Sequence, residues 1–580
     1  LFMGIITSLK GKGSKIAYWI FFIISFALFL TNCIYYSMTS LVFGFNLLEL
    51  RDEGSSYILD TILNTNPLIY VFAIALIVIG IITGKKLPVN DKCKPKRFLK
   101  VFVFFLVLHT LTPFLLGHAN NNLKWNNFKN ARNIYNNFSD CNKSLKISGL
   151  YEYSVRNFYF TFLKPEEEIS DEDQKFLDSI YKAEDTKEEN AYTGKFKGKN
   201  LIFLQLEGMD TWMLTKKTTP NLYNLRKHSI DFSNHYSIYT GGGSTFNSEF
   251  AVNTGFITPL SYTQNAYSFN KNSFPYSLAK LLKNENYSVN AFHMNDGEYY
   301  SRATNYKNWG YDNYYGLKEL GTYKDDSYTL DRELILNETF KEKMFSEEKF
   351  ADYIITYSGH LPFTTEKGVC KKLVTEDILK EQGLEELPSD YVLPTMSEED
   401  CARRQAKETD YMVELLINTL TEKNLIDNTV IVVFTDHYLY TLSDQTILDK
   451  YKDTSNNLIN HTPFFIWDNG NTKKKVTSVT SQLNILPTII NLLGLEYHPN
   501  YYIGKDALNG SYNGIVFFSD YSWYDGNVYV DGGAVTNNKY IDQVSLEDKN
   551  YYINYIIRKN DLTLKYNYFK KISTSKDKEV

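Results

Sequence analysis

The sequence predicts N-terminal transmembrane helices, then an α/β domain on a mostly parallel sheet with helices on both faces, and last a small antiparallel sheet. Three observations carry this reading: long apolar runs confined to the region before residue 119, short β-branched runs alternating with helical stretches from Lys195 onward, and period-two patterning after Gly514. At 580 residues the chain is long enough for a large core together with an anchor.

The anchor is read from hydropathy and charge. Runs at 16–36, 67–83 and 98–117 are close to the roughly 20 apolar residues that cross a bilayer as helix. A cleaved signal peptide fits poorly, because one run follows another with no clear small-x-small site. The chain opens on Leu1 rather than Met, which leaves room for further spans upstream. Lys10, Lys12 and Lys15 precede the first run, and Lys85, Lys86, Lys92, Lys94, Lys96, Arg97 and Lys100 crowd the approach to the third. Between the first and second runs, Glu49, Asp52, Glu53 and Asp60 face a single Arg51. Positive segments stay cytoplasmic, so everything after about His118 is expected outside a multi-pass cell-membrane anchor. The domains are then 1–118 (three-helix anchor), 119–195 (extracellular linker helices), 196–513 (the large α/β domain) and 514–580 (small β subdomain and tail).

Within 119–195 the apolar patch at 147–153 suggests short helices on the membrane or on the next domain, while the acidic part, 166–189, reads as a plain spacer. A net charge of −5 with no strongly basic domain argues against nucleic acid as a partner. The 46 Tyr and 38 Phe are read as compositional bias. Of five cysteines, Cys33 lies in an apolar run and Cys93 in a basic loop; Cys370 and Cys401 are equally compatible with a bridge or with two free thiols.

In parallel sheets ligands bind beyond the carboxyl ends of the strands, so the residues just past each buried run carry the most information. Asn200-Leu-Ile-Phe-Leu-Gln-Leu ends at Glu207; Ser288-Val-Asn-Ala-Phe ends at His293, with Asn295, Asp296, Tyr300 and Arg302 just beyond. Tyr353-Ile-Ile-Thr-Tyr ends at Ser358-Gly-His360, and Thr429-Val-Ile-Val-Val-Phe-Thr ends at Asp436-His437. One His or Asp in such a place is usually an ordinary loop residue, but four coincident ends are not explained that way. Gly241-Gly-Gly-Ser-Thr245 offers a close backbone approach and then a helix whose N-terminus favours an anion. It lacks the Gly-Lys-Ser/Thr of a Walker loop. A hydroxyl is a poor nucleophile unless a metal or base activates it. Glu207, Thr245, Asp436 and His437 form an O,O,O,N set that suits Mn²⁺ or Zn²⁺ and tolerates Mg²⁺.

At these residues the sequence resembles the lipoteichoic acid synthase branch of the sulfatase and alkaline phosphatase superfamily, from the membrane runs to about Asp506. Gln205-Leu-Glu207, Pro220-Asn-Leu-Tyr-Asn-Leu, Thr245, Asp436-His437 and Ser481-Gln-Leu-Asn-Ile-Leu-Pro-Thr488 with Leu492-Leu-Gly come in family order. The resemblance implies a sulfatase-like domain in which Thr245 attacks phosphatidylglycerol and diacylglycerol leaves. The glycerophospho group then passes to a glycolipid or polyglycerol-phosphate acceptor of the cell wall. It also implies Glu207, Thr245, Asp436 and His437 as ligands of Mn²⁺ (Mg²⁺ or Zn²⁺ as alternatives). His293, Asn295, Tyr300, Arg302 and His360 would hold the headgroup, with His360 assisting proton transfer and Arg302 gripping phosphoryl oxygens as a forked donor. A lipid donor makes sense of the membrane anchor.

Three positions depart from the family: Ser244-Thr-Phe-Asn247 replaces Lys-Thr-Ser-Asp, Asn295 replaces an Asp, and Tyr300 replaces a Trp. These bear on headgroup and acceptor choice, not on the nucleophile. A true sulfatase is disfavoured, since the Cys or Ser that becomes formylglycine, with its Pro and Arg, is absent. A phosphoethanolamine transferase, a simple hydrolase and a non-catalytic polymer-binding module stay open as alternatives. The segment after Gly514 (Ile515-Val-Phe-Phe, Asn527-Val-Tyr-Val) reads as a small antiparallel sheet and the charged end, 573–580, as a disordered tail.

Overall fold

The structure is a computed structural model. It describes all residues except 40–41, 46–47, 49–64, 88–89, 116–130, 132–134, 136–140, 164–167, 185–186, 239–243, 263, 298, 323–327, 346–347, 389 and 572–580. The chain divides into two compact units, Leu1–Glu167 with Leu260–Gln264, and Glu168–Pro259 with Asn265–Val580.

The first unit is helical: α1 (Lys12–Thr39), α2 (Pro67–Lys86), α3 (Pro95–Leu115) and α4 (Cys141–Phe158). Among the described residues two helices, within α1 and α2, are long and apolar enough to cross a membrane. Their apolar side chains point outward, Ile16, Ile20 and Ile23 on α1 and Leu68, Val71 and Phe72 on α2, as lipid rather than water would require. The two helices touch where a small residue permits it. A Cβ on Gly80 would lie 2.2 Å from the Phe22 ring, and the Tyr18 hydroxyl donates to the Gly80 carbonyl at 2.7 Å. Asn66 caps α2 by accepting from the Leu68 amide at 3.0 Å, with Pro67 at the first helical position. The third predicted run is also helical, with Leu99, Phe104 and Leu108 exposed along it.

The second unit begins with α5 (Asp171–Tyr181) and is built on an eight-stranded sheet. Its strands are β1 (Asn200–Leu206), β2 (Ile230–Phe232), β4 (Ser288–His293), β5 (Asn313–Tyr315), β6 (Phe350–Ile355), β7 (Thr429–Thr435), β8 (Phe464–Asp468) and β9 (Lys474–Val476). A pair, β3 (His235–Tyr236) with β10 (Thr480–Ser481), stands apart. The order is β5-β4-β6-β1-β7-β8-β2-β9, and β8 alone runs antiparallel to its neighbours. Every residue of β1, β6 and β7 is buried, so both faces are covered, which explains the continuous apolar runs.

Alternate residues serve different cores. Ile202, Leu204, Leu206, Ile431 and Val433 pack with Leu334, Met412, Val413 and Leu416. On the other face Phe203 stacks on Tyr353 at 5.8 Å, and Tyr353 meets Tyr306 at 5.9 Å. The helices around the site are α6 (Ser244–Thr254), α7 (Arg302–Trp309), α8 (Asp331–Leu336), α9 (Gly368–Gln382), α10 (Glu398–Glu422) and α11 (Ile485–Leu493).

The C-terminal sheet is present as β11 (Val516–Phe517), β12 (Trp523–Tyr524), β13 (Tyr529–Asp531) and β14 (Ala534–Val535), all antiparallel. Two expectations are corrected. The chain does not run from this sheet into a tail: a 23-residue helix, α12 (Gln543–Lys565), intervenes and buries Ile553, Ile556, Ile557 and Leu564. Nor is the acidic stretch only a spacer. Its α5 buries Leu177, Ile180 and Tyr181 and docks on α12, with the Tyr181 and Thr563 hydroxyls 2.8 Å apart and Arg558 on Glu172 and Asp173. The acidic face is solvent-side; the apolar face, at helical spacing, finds a partner 382 residues away that local reading does not supply. The expected disordered tail, 573–580, lies outside the described residues.

Candidate active site

The strand register brings the first two acidic groups together. Leu206 pairs with Thr435 in the parallel β1–β7 ladder, so the next residues, Glu207 and Asp436, leave the sheet side by side. His437 comes directly after. Glu207, Asp436 and His437 are buried, and each offers a ligand atom within 4.8 Å of the others. The His437 Nε2 atom is 3.4 Å from Glu207 Oε1 and 3.3 Å from Asp436 Oδ2. Asp436 Oδ1 accepts from the backbone amides of Gly208 (3.0 Å) and His437 (2.8 Å). Its other oxygen, Oδ2, is buried and has no hydrogen-bond partner among the described residues.

Two carboxylates this close and this deep cannot both be ionised without a cation. Burial, reinforced by the Glu207 charge, pushes the Asp436 carboxyl well above the usual range. Burial acts on Glu207 in the same sense, but the His437 hydrogen bond and charge outweigh it and hold that carboxyl low. Burial would lower the His437 imidazole, yet Asp436 and Glu207 together raise it to about 9. His437 thus sets its positive charge directly against both buried acids, and one Asp436 oxygen has no hydrogen bond among the described residues. The residues fit a divalent cation of the oxygen- and imidazole-preferring class.

Thr245 stands in the first turn of α6, where it donates from Oγ1 to Glu207 Oε2 at 3.1 Å. Every other residue of that helix is buried, so the packing exposes one hydroxyl to the acidic cluster. Its carbonyl accepts from Gln205 Nε2 at 3.2 Å, and Gln205 Oε1 accepts from the Tyr353 hydroxyl at 2.6 Å. One turn on, Ser248 Oγ donates to the Asp436 carbonyl at 2.6 Å, and Gln482 Nε2 donates to both (2.6 and 2.7 Å). Gln482 lies just before α11, in the Ser481–Thr488 segment that carries part of the family resemblance. The predicted glycine turn 241–243 lies outside the described residues.

The second group of residues surrounds the ends of β4 and β6. His293 is buried, with Nδ1 2.9 Å from the Ile355 carbonyl; burial, then the Arg302 charge, holds it neutral. Arg302 is 1% exposed and locked to Glu249, Nη2 at 2.8 Å from Oε1 and Nε at 3.1 Å from Oε2. The Tyr306 hydroxyl completes the Glu249 shell at 3.0 Å. The fork expected to grip a ligand is therefore engaged by Glu249, and Nη1 is the donor with no partner among the described residues. Tyr300, at φ 56°, stacks on Tyr267 at 5.6 Å and meets Phe246 at 5.9 Å, with the Arg302 guanidinium 5.0 Å above its ring. Asn295 accepts from the Asp296 amide at 2.8 Å. His360 stacks parallel to Tyr357 at 5.7 Å, and its charge is among those that lower Glu207.

Gly359 explains the closeness of this group to the first: a Cβ there would lie 1.9 Å from the Glu207 carbonyl oxygen. Sequence reasoning missed Glu249, Ser248 and Gln482. Glu249 had a signal, a lone charge inside the otherwise uncharged Phe246–Val252 stretch, since a carboxylate is rarely buried unpaired. Cys370 and Cys401, left open by the sequence, are joined in a disulfide between α9 and α10.

Comparison with known proteins agrees with this architecture. The sulfatase family model matches residues 199–495. The chain is 25% identical over 420 residues to a lipoteichoic acid synthase of Staphylococcus saprophyticus, covering 66% of this chain and 60% of that one. It is 25% identical over 353 residues to lipoteichoic acid synthase 2 of Bacillus subtilis, covering 57% and 50%. The chain thus spans about half to three fifths of the length of these curated relatives. The crystal structure of the lipoteichoic acid synthase LtaP from Listeria monocytogenes superposes with a TM-score of 0.56 at 22% identity, over 67% of this chain and 98% of that one. That likeness shows the fold.

Proposed function

The chain belongs to the sulfatase family, and we propose that it is a membrane-anchored phosphoglycerol transferase of that family. The observation that carries the reading is the Thr245 hydroxyl bonded to Glu207 inside the Glu207, Asp436, His437 cluster. Similarity to lipoteichoic acid synthases supports the same chemistry.

In this reading Thr245 enters and leaves each turnover as the alkoxide, its proton already released to solvent, and Oγ1 attacks the phosphorus of phosphatidylglycerol. The bond to the diacylglycerol oxygen breaks, and glycerophosphate is left on Thr245. His360 supplies the proton the leaving oxygen needs. In the second half the hydroxyl of a glycolipid or polyglycerol-phosphate acceptor returns that proton to His360, attacks the same phosphorus and frees Thr245. Glu207, Asp436 and His437, with Thr245, would hold a divalent cation, Mn²⁺ in our reading with Mg²⁺ or Zn²⁺ as alternatives. Once bound, it would favour the alkoxide and neutralise phosphoryl charge. Arg302 reaches a phosphoryl oxygen through Nη1, the donor that Glu249 leaves open. His293, Asn295 and Tyr300 meet the glycerol headgroup.

The anchor crosses the membrane three times, at α1, α2 and α3, with the catalytic unit outside. The positive-inside pattern and the disulfide, which is at home in an oxidising compartment, support that side. The test is mass spectrometry of Thr245 after incubating the Mn²⁺-loaded protein with phosphatidylglycerol. A glycerophosphoryl adduct with release of diacylglycerol, absent in Thr245→Ala, is expected. An adduct from phosphatidylethanolamine alone would keep the site and replace the headgroup; no adduct from either would favour a binding module.

A further inference from the structure

The loop that carries His360 is held from behind by one helix. On α10, Cys401, Gln405 and Thr409 lie at successive i, i+4 positions and are all fully or almost fully buried, so they form a single stripe. Gln405 uses both N–H bonds of its side-chain amide on this loop, donating to the carbonyls of Ser358 and His360 at 2.8 Å each. Thr409 donates to Asp331 Oδ2 at 2.7 Å, and Asp331 Oδ1 accepts from the amides of Tyr357 (2.6 Å) and Ser358 (3.1 Å). Ser358 returns the contact, its hydroxyl accepting from the Asp331 amide at 2.8 Å. Cys401, one turn before Gln405, is bonded to Cys370 on α9, the helix into which the same loop leads. On its other side the loop abuts the Glu207 backbone at Gly359.

We propose that Gln405, together with the Cys370–Cys401 bridge that fixes its helix, positions His360 for proton transfer; this rests on the phosphoglycerol-transferase reading of the site. Gln405 is fully buried and bears on the site through loop carbonyls, so it is a positioning residue. Two carbonyls bracketing Gly359 set where the histidine leaves the backbone, and a helix free to shift along α9 would carry both with it.

The experiment uses the full chain in lipid nanodiscs with Mn²⁺, comparing wild type, Gln405→Met, Cys370→Ala/Cys401→Ala, His360→Ala and the Gln405→Met/His360→Ala double variant. Amide exchange of a peptide spanning 356–363 should be about tenfold faster in Gln405→Met and in the cysteine-free protein than in wild type. Transfer from phosphatidylglycerol should fall about tenfold in Gln405→Met, and the double variant should be no slower than His360→Ala alone. Multiplicative losses in the double variant, or unchanged exchange across 356–363, would overturn the proposal. If Gln405→Met does not fold, the cysteine-free protein paired with His360→Ala carries the same cycle. Should wild type transfer nothing from any lipid, the functional reading fails, and exchange at 356–363 still decides whether Gln405 and the bridge hold the loop.

Discussion

The two edges of the site are built differently. The β1–β7 edge gathers Glu207, Asp436 and His437 mainly through the backbone: parallel register sets two neighbouring strand ends level, the candidate ligands are the next residues along, and Ser248 and Gln482 only brace the Asp436 carbonyl. The β4–β6 edge gathers His293, Arg302 and His360 through side chains that themselves need holding, Arg302 by Glu249 and the His360 loop by Asp331 and Gln405. A site assembled by register is robust to changes around it. A site assembled by buried polar contacts is only as stable as each partner.

The sharpest way to break this contrast is to remove one candidate ligand from the first edge. Asp436→Asn should lower Mn²⁺ affinity more than about 100-fold by isothermal titration, and transfer along with it. The fold should survive, because the buried carboxylate it removes is itself held well above its usual pKa range. Loss of cooperative unfolding in the metal-free variant would contradict the contrast.

The second edge should answer in the opposite way. Glu249→Gln leaves Arg302 buried with its charge unmatched, and breaking such a pair costs about 3–5 kcal/mol. Urea unfolding should record that loss, while Mn²⁺ affinity stays within about threefold, since Glu249 is no ligand. If metal binding fell as far as stability, the two edges would be one unit rather than two.

The same contrast explains which features were legible in the sequence. Glu207, Asp436 and His437 could be read because each directly ends an apolar run, and a parallel sheet brings such ends to one side. The two N-terminal apolar helices and the main sheet were legible for similar reasons, as local periodicity reports burial. Gln405 and Asp331 were not legible: their partners are loop backbone atoms dozens of residues away, and nothing local distinguishes them from other polar helix residues. The docking of α5 on α12 was hidden likewise, although Ile553, Ile556, Ile557 and Leu564 do recur at helical spacing.

A smaller effect should come from the headgroup positions. Asn295→Asp with Tyr300→Trp installs the residues that the family resemblance implies at these two positions. If these residues meet the glycerol, the preference for phosphatidylglycerol over phosphatidylethanolamine in a competition assay should change about tenfold, which is about 1.4 kcal/mol. An unchanged ratio would remove Asn295 and Tyr300 from the headgroup contact and leave the first edge untouched.

The smallest effect concerns Glu408, one turn along α10 from the residues that hold the His360 loop. It is 4% exposed and bonded to Arg332, Oε2 3.0 Å from Nη1. Burial raises its carboxyl to about 7, with the Arg332 charge opposing. A carboxyl whose folded pKa lies above its unfolded value binds more protons in the native state. Its contribution is therefore present below the ordinary range, about 4.5, and is lost as pH rises through about 7. Stability of the wild-type protein, measured by denaturant unfolding, should accordingly decline between pH 5 and 7 by an amount on the order of 1–2 kcal/mol, after allowance for partial solvation. Glu408→Gln should flatten that decline while leaving Mn²⁺ affinity as it was, because the group belongs wholly to the second edge. A decline of the same size in Glu408→Gln would assign the pH dependence to another buried acid, Asp331 being the nearest, since its carboxyl is raised by burial as well.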